Sequence, residues 1–144
     1  MSPSSPRPVA LILVLAAAAP ACGGGDGGPS FPENHPRIYL PQQADRLRVL
    51  LAGNDPAATR FAEIVDYQLD GGNLYDFRAW NVALMGQLTG EPRYCEFAVA
   101  QVDALVAENE AAIGSGSAPM VAFDSYLDVG PIVGDVAMTY DFCA

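Results

Sequence analysis

The stretch FRAWNVALMGQLTGEPRY, residues 77–94, decides the fold of this chain. Its apolar residues recur at three- and four-residue steps, which predicts a helix with a cap near Asn73 or Asp76. Gly90 is placed to adopt the left-handed conformation that closes a helix, and Pro92 is tolerated in the first turn of the next helix. The stretch therefore predicts a helical hairpin with a sharp reversal.

Further helical patterns lie on both sides of this hairpin. Before it, one helix is predicted over residues 41–52, and a second is predicted from Pro56, capped by Asn54 and Asp55, until Gly71. After it, the second arm is predicted to run from Pro92 to about Glu108, followed by a flexible loop over 114–119. A last helix, capped by Ser125 or Asp128, is predicted through to Phe142. The helical domain is thus expected over residues 35–144, with an all-α fold.

The apolar periodicity also predicts which side chains face the core. On the two arms of the hairpin these are Phe77, Trp80, Leu84, Leu88, Tyr94, Phe97, Ala98, Val102, Leu105 and Val106. In the last helix they are Ile132, Val133, Val136, Ala137 and Tyr140. Gly130 and Gly134 lie four residues apart, hence on one face, where we expect them to let another helix approach closely; the alternative is contact with a ligand.

The chain is strongly acidic, with 17 Asp and Glu residues against seven basic residues, all of them Arg, and a formal net charge of −10. Such a protein is repelled by phosphate backbones, which argues against nucleic acid as a partner. The acids are scattered singly along the chain, which is typical of the solvated faces of helices.

The N-terminus has the layout of an export signal. Arg7 precedes an apolar run over residues 9–19 that is too short to span a bilayer, and small residues at Ala19 and Ala21 suit cleavage before Cys22. The run resembles a bacterial lipoprotein signal, which implies acylation of Cys22; the alternative is an ordinary signal peptidase site.

Residues 1–21 are therefore expected to be a signal peptide and residues 22–34 a Gly-rich tether. With acylation the protein would be anchored to a membrane, in the periplasm or at the cell surface. Without it the protein would be secreted.

Two other cysteines, Cys95 and Cys143, fall at the start of one predicted helix and the end of another. If the helices alternate in direction, both cysteines lie at the same end of the layer, and export allows them to pair. A disulfide would add about 3 to 4 kcal/mol of stability. The alternative is two free thiols.

The chain carries few signs of cofactor or metal chemistry. His35 is the only histidine and lies in a Pro-flanked segment, which favours a structural or exposed role over a catalytic one. No second His or suitably spaced Cys is available to complete a metal site around it. The sequence has no P-loop, dinucleotide fingerprint, GxSxG or CxxC motif, so no cofactor is predicted.

Three segments suggest a family. HPRIYL (35–40), AWNVALMGQLTGEPRYCEFAVAQVD (79–103) and SYLDVGPIVGDVAMTYDF (125–142) resemble, in order, the N-terminal part of heparinase II/III-like and alginate-lyase-like polysaccharide lyases. The resemblance implies an incomplete (α/α) toroid of helical hairpins, followed in the whole protein by a β-sandwich. It also implies an acidic polysaccharide as the substrate.

Such lyases remove the C5 proton of a uronate and expel the C4 oxygen. The reaction needs a base and an acid, usually Tyr or His, and an Asn or Arg that neutralises the carboxylate. Side chains of these types are present at Tyr126, Tyr140, Asn81, Arg78 and His35. None matches a catalytic position of the family residue by residue, so the catalytic residues stay unassigned.

A toroid closes its core by packing each hairpin on the next, and five helices supply only its beginning. We therefore expect the N-terminal segment of a longer polysaccharide-degrading protein, inactive alone. One alternative is a non-catalytic surface lipoprotein whose helical domain binds glycan or protein, and another is a purely structural fragment. A cleft for a polyanion needs clustered arginines, and in the mature sequence only Arg46 and Arg48 lie close together.

Overall fold

The computed structural model describes residues 34–38, 40–124 and 126–144, and this part of the chain is all-helical. Its helices are α1 (Ala44–Ala52), α2 (Pro56–Leu69), α3 (Ala79–Thr89), α4 (Pro92–Gly114) and α5 (Val129–Cys143), with a short 3₁₀ helix at Met120–Ala122. The predicted all-α class is confirmed. The predicted signal peptide, Cys22 and the tether as far as residue 33 lie outside the described residues, as does Ser125.

The corner of the hairpin follows the sequence prediction. α3 ends at Thr89, and Gly90 takes the left-handed conformation with φ 73° while its N–H donates to the carbonyl of Gly86 at 2.8 Å. Pro92 then occupies the first position of α4. Because Gly90 has no Cβ, the backbone reverses there without strain.

The start of α3 differs from the prediction. Neither Asn73 nor Asp76 caps it; Arg78 precedes the first turn without a capping side-chain bond. Instead, Oδ1 of Asp135, on α5, accepts a hydrogen bond from the backbone N–H of Trp80 at 2.8 Å. The cap is supplied by a packed neighbour, so the local sequence could not reveal it.

Two contacts fix the direction of α5 relative to α3. Asp135 meets Trp80 near the start of α3, and the carbonyl of Phe142 accepts a bond from Nε2 of Gln87 near its end. Both pairs are 55 residues apart in sequence. A constant offset means that the two helices run parallel.

A disulfide between Cys95 and Cys143 fixes the direction of α4. It joins the first turn of α4 to the last turn of α5, with their Cα atoms 5.5 Å apart. α4 therefore runs antiparallel to both α3 and α5. α3, α4 and α5 thus alternate in direction, which is the assumption from which the Cys95–Cys143 disulfide was predicted.

α3 and α4 approach each other closely at Gly86, a glycine that the sequence reading did not single out. A Cβ built on Gly86 would lie 3.0 Å from Sγ of Cys95, so a larger residue here would force the two helices or the sulfur to shift. Gly130 and Gly134 were expected to play this role. A Cβ on either would meet no described atom within 4 Å, so that expectation is wrong.

α3 is the central helix of the domain. The core cluster consists of Leu40, Val65, Ala79, Val82, Ala83, Met85, Tyr94, Ala98, Val102 and Phe142. Phe77, Trp80 and Leu84, predicted to form the inward stripe of α3, are only partly buried. All three pack against the core, and Leu88, the fourth residue of the predicted stripe, is buried, so the stripe is confirmed in part. α3 is also buried on its other sides, through Val82, Ala83 and Met85.

The buried face of α5 agrees with the predicted one only in part: Ile132 is buried and Val136 packs against the core, as expected. Val133 and Tyr140 were expected to point inward, but they are 53% and 66% exposed. The buried residues are Ile132, Asp135, Thr139, Asp141 and Phe142. The two buried carboxylates accept backbone N–H groups of neighbouring segments, which satisfies their hydrogen bonding inside the protein. Asp128 precedes α5 but makes no capping bond within the described residues.

Helix ends agree with the sequence where a local side chain sets them. Asp55 caps α2 by accepting the N–H groups of its first turn at 3.0 and 3.2 Å, as predicted. α1 begins at Ala44 and not at Pro41, because residues 41–43 form a turn. α4 continues to Gly114, beyond the predicted end near Glu108.

Candidate functional site

The side chain of Asp141 holds the lead-in segment, residues 34–38, against the last turn of α5. Its Oδ2 accepts the backbone N–H groups of Arg37 and Ile38, both at 2.7 Å, and its Oδ1 lies 2.8 Å from Nδ1 of His35. Asp141 is only 3% exposed. We call this arrangement of one carboxylate and three donors the Asp141 clamp.

Opposing effects act on the pKa of Asp141. Burial favours the neutral acid and by itself raises the pKa, while the N–H groups of Ile38 and Arg37, and then His35, favour the carboxylate. The donors outweigh burial, and the pKa of Asp141 lies below its ordinary value. The group is therefore a carboxylate at neutral pH.

The clamp also fixes the chemistry of the imidazole. Because a carboxylate can only accept, Nδ1 of His35 carries a hydrogen, which leaves Nε2 as the acceptor in the neutral ring. The exposed ring of Tyr140 meets the imidazole edge-on, with centroids 5.4 Å apart. An oriented imidazole beside an exposed phenol has the groups that proton transfer requires.

A polar cleft of about 360 Å³ lies at the start of α3. Arg78, Asp76 and Asp135 line it, and Arg78 forms an ion pair with Asp76. The cleft thus holds two acids and one base, a charge balance that disfavours a carboxylate ligand. Asn81 donates from Nδ2 to the carbonyl of Arg78 at 3.1 Å, so its amide is used by the helix start.

These residues form two separate groups. Paired residues of α3 and α5 are 55 positions apart in sequence, so Asp141 lies level with Gly86. Gly86 is eight residues after Arg78, a distance of about 12 Å along the helix axis. Arg78 and Asn81 are consequently not beside His35. Tyr126 belongs to neither group, because it lies exposed in the turn before α5, where Asp124 accepts its backbone N–H.

Another polar network, in which Tyr94 is buried and Asp66 and Arg93 are about half exposed, joins α2 to α4. The hydroxyl of Tyr94 donates to Oδ1 of Asp66 at 3.0 Å, and the guanidinium of Arg93 lies over the Tyr94 ring, 4.4 Å from its centroid. Burial first, and then the Asp66 carboxylate, raise the pKa of Tyr94. The phenol therefore stays protonated and acts as a tie between the helices.

The sequence reading missed the two buried acids, Asp135 and Asp141. It treated all acids as solvated, which is wrong for this pair. A signal was present, since both stand in a strongly apolar helix and no Lys, Arg or His occurs after Arg93. An acid placed there without a basic neighbour needs backbone donors.

Two further properties concern the described residues alone. No three His, Cys, Asp or Glu side chains in this part of the chain come together as metal ligands. Within the same residues, no helix is long and apolar enough to cross a membrane.

Comparison with protein-family models, with curated proteins and with solved structures gave no match for this chain. A proposal of function therefore depends on the geometry above and on the resemblance in the sequence.

Proposed function

We propose that this chain is the N-terminal helical segment of an exported protein that degrades uronic-acid polysaccharides, and that it serves there as a scaffold. The observation that carries the proposal is the up, down, up packing of α3, α4 and α5. Helical hairpins packed in a row are the units from which an (α/α) toroid is built. In this proposal the described helices are the beginning of such a toroid.

The Asp141 clamp supports the scaffold role. His35 gives its Nδ1 to the carboxylate, and its side chain is only 17% exposed. The same carboxylate uses its other oxygen to hold two backbone N–H groups. These bonds secure the lead-in segment to the helices, which is an anchoring function. The groups that perform elimination on a polysaccharide would then come from other parts of the protein.

Absorbance of unsaturated uronate products tests this proposal. Alginate and heparan sulfate incubated with the 144-residue chain alone should give no increase. Sequencing the coding DNA beyond Ala144 should find an in-frame continuation with further helical hairpins, and its product should give the increase. Cleavage by the chain alone, or a stop codon directly after Ala144 in an intact gene, would contradict the proposal.

The proposal includes a membrane tether through Cys22, supported by the lipoprotein-like signal. Mass spectrometry of the protein purified from membranes should find an acylated N-terminal cysteine. A Cys22→Ala variant should leave the membrane fraction. An unmodified thiol at Cys22 in the mature protein would refute the tether.

The polar cleft favours a second candidate, a surface lipoprotein that binds glycan without cleaving it. Amide side chains of Gln68, Asn73 and Gln101 line the cleft beside Phe77, and this combination suits sugar hydroxyls. Calorimetric titration with neutral oligosaccharides tests it: binding that is lost in Gln101→Ala supports the candidate. No heat for any oligosaccharide would dismiss it.

A further inference from the structure

The outer surface of α4 and α5 carries an apolar groove. It consists of a cavity of about 310 Å³ and an adjoining one of about 210 Å³, and both are lined by Val106 of α4 and Val136 of α5. We call the two together the α4/α5 groove. Large exposed apolar surfaces of this kind mark sites of protein interaction.

The exposed side chains along the groove follow a seven-residue repeat. On α4 they are Val99, Val106 and Ile113, which are 39%, 38% and 61% exposed. Val106 was predicted to face the core, and this prediction is wrong. On α5 the same step separates Val133 from Tyr140. Residues seven apart stay on one face of a helix, and two such rows on antiparallel neighbours form the seam into which a third helix packs. The row on α4 is about 21 Å long, which matches four helical turns.

The two charged side chains that line the groove are both acids. Asp103 and Glu110, also seven residues apart, line the two cavities. Residues 94–144 contain eight acids and no Lys, Arg or His, and His35 of the lead-in segment meets Tyr140 at one end of the groove. A helix that fills the groove must therefore bring basic side chains beside its apolar stripe.

We propose that the α4/α5 groove binds an amphipathic helix of a partner protein, at least about 14 residues long, with apolar residues at a seven-residue repeat and flanking Lys or Arg. A second copy of this chain fits less well. Its basic amphipathic helix, α1, has nine residues and already packs Leu47 and Leu51 against its own core. In the proposed toroid, a following hairpin of the whole protein is the rival occupant of this groove. A Lys peptide that binds the 144-residue chain but not the whole protein would assign the groove to that hairpin and overturn the proposal.

Fluorescence anisotropy with the full chain and two labelled peptides of about 21 residues tests the proposal. Both peptides carry Leu at the two core positions of each heptad; one has Lys at the flanking positions and the other has Glu. The Lys peptide should bind with a Kd in the micromolar range, and the Glu peptide should bind at least about tenfold more weakly. Equal binding of the two peptides would overturn the proposed charge recognition.

Variants of the chain locate the binding. Val133→Asp and, independently, Ile113→Asp should weaken the Lys peptide about tenfold or more. Both residues are exposed, so the two variants should have the same urea unfolding midpoint as the wild type. Val49→Asp, on the exposed side of α1, is the matched control and should leave affinity unchanged. The double variant Asp103→Asn, Glu110→Gln should lower the affinity for the Lys peptide about fivefold.

Two further results with the 144-residue chain would overturn the proposal. The first is unchanged affinity of the Lys peptide for Val133→Asp and Ile113→Asp. The second is a wild-type dimer, measured by light scattering, that Val133→Asp converts to a monomer, since this would assign the groove to a second copy of the chain.

Discussion

Replacing Asp141 by Ala should destabilise the domain more than any change to an exposed acid. The substitution removes the acceptor of two backbone N–H groups at 2.7 Å and of Nδ1 of His35. A hydrogen bond to a charged group is worth about 1.5–3 kcal/mol, but Arg37 is exposed, so water can satisfy part of the loss. We expect the free energy of unfolding to fall by about 3 kcal/mol and Tm by roughly 10 °C.

Asp141→Asn is the informative companion variant. Its amide oxygen can still accept the N–H groups of Arg37 and Ile38, and its NH₂ can donate to His35 in the other tautomer. The variant loses the charge but keeps the bonding pattern, so we expect a loss of only about 1 kcal/mol. Glu108→Ala, an exposed change on α4, should stay within about 0.5 kcal/mol.

The pH dependence follows from the lowered pKa of Asp141. As the pH falls through the ordinary range of an Asp, about 3.9, the unfolded chain takes up a proton before the native one. The stability contributed by Asp141 is thus complete above that range and is lost as the pH falls through the folded-state pKa. The difference in unfolding free energy between wild type and Asp141→Ala should be present at neutral pH and shrink below about pH 4.

Urea unfolding followed by the fluorescence of Trp80 measures these differences, and amide hydrogen exchange shows where they act. In Asp141→Ala the amides of Arg37 and Ile38 should lose protection, while those in the middle of α3 should keep most of theirs. Equal urea midpoints for wild type and Asp141→Ala, or a gap that does not change with pH, would refute the role given to the clamp.

Three other changes have definite expected outcomes. Thr139→Val should raise the unfolding free energy by about 1 kcal/mol, because the buried Thr139 hydroxyl has no hydrogen-bond partner in the described structure. A variant less stable than the wild type would show that the hydroxyl does have a hydrogen-bond partner. Gly86→Ala should lower the urea midpoint, because its Cβ would lie 3.0 Å from Sγ of Cys95. Gly130→Ala, the control, has open space around it and should leave the midpoint unchanged or raise it. Equal effects of the two substitutions would contradict the close packing at Gly86. Replacing both Cys95 and Cys143 by Ser should lower the unfolding free energy by about 4 kcal/mol, because the disulfide closes a loop between residues 48 positions apart. A thiol count under non-reducing conditions that finds both cysteines free in the wild type would refute the disulfide.

The sequence could predict the features that depend on neighbouring residues. Asp55 and Gly90 are recognisable because a cap or a left-handed turn involves atoms only a few residues away. The all-α class follows from the same local patterns. For the cysteines, the helix order was enough to suggest a pairing.

Features that depend on distant residues escaped prediction. The cap of α3 comes from Asp135, 55 residues later, and the lead-in segment is held by Asp141, more than 100 residues later. No local periodicity encodes either contact. Both acids lie on the buried face of α5, while Val133 and Tyr140, which hydropathy alone predicted inside, are exposed.

The Asp141 clamp brings the two ends of the helical region together, with His35 hydrogen-bonded to a residue three positions before Ala144. A force that pulled these ends apart would first load the bonds to Asp141 and leave α1 to α4 unstressed. Once the clamp opened, the strain would reach α1 and α2, but the stretch from Cys95 to Cys143 would remain shielded by its covalent cross-link. The domain is thus built to yield mechanically at its lead-in segment first, with extension limited by the disulfide.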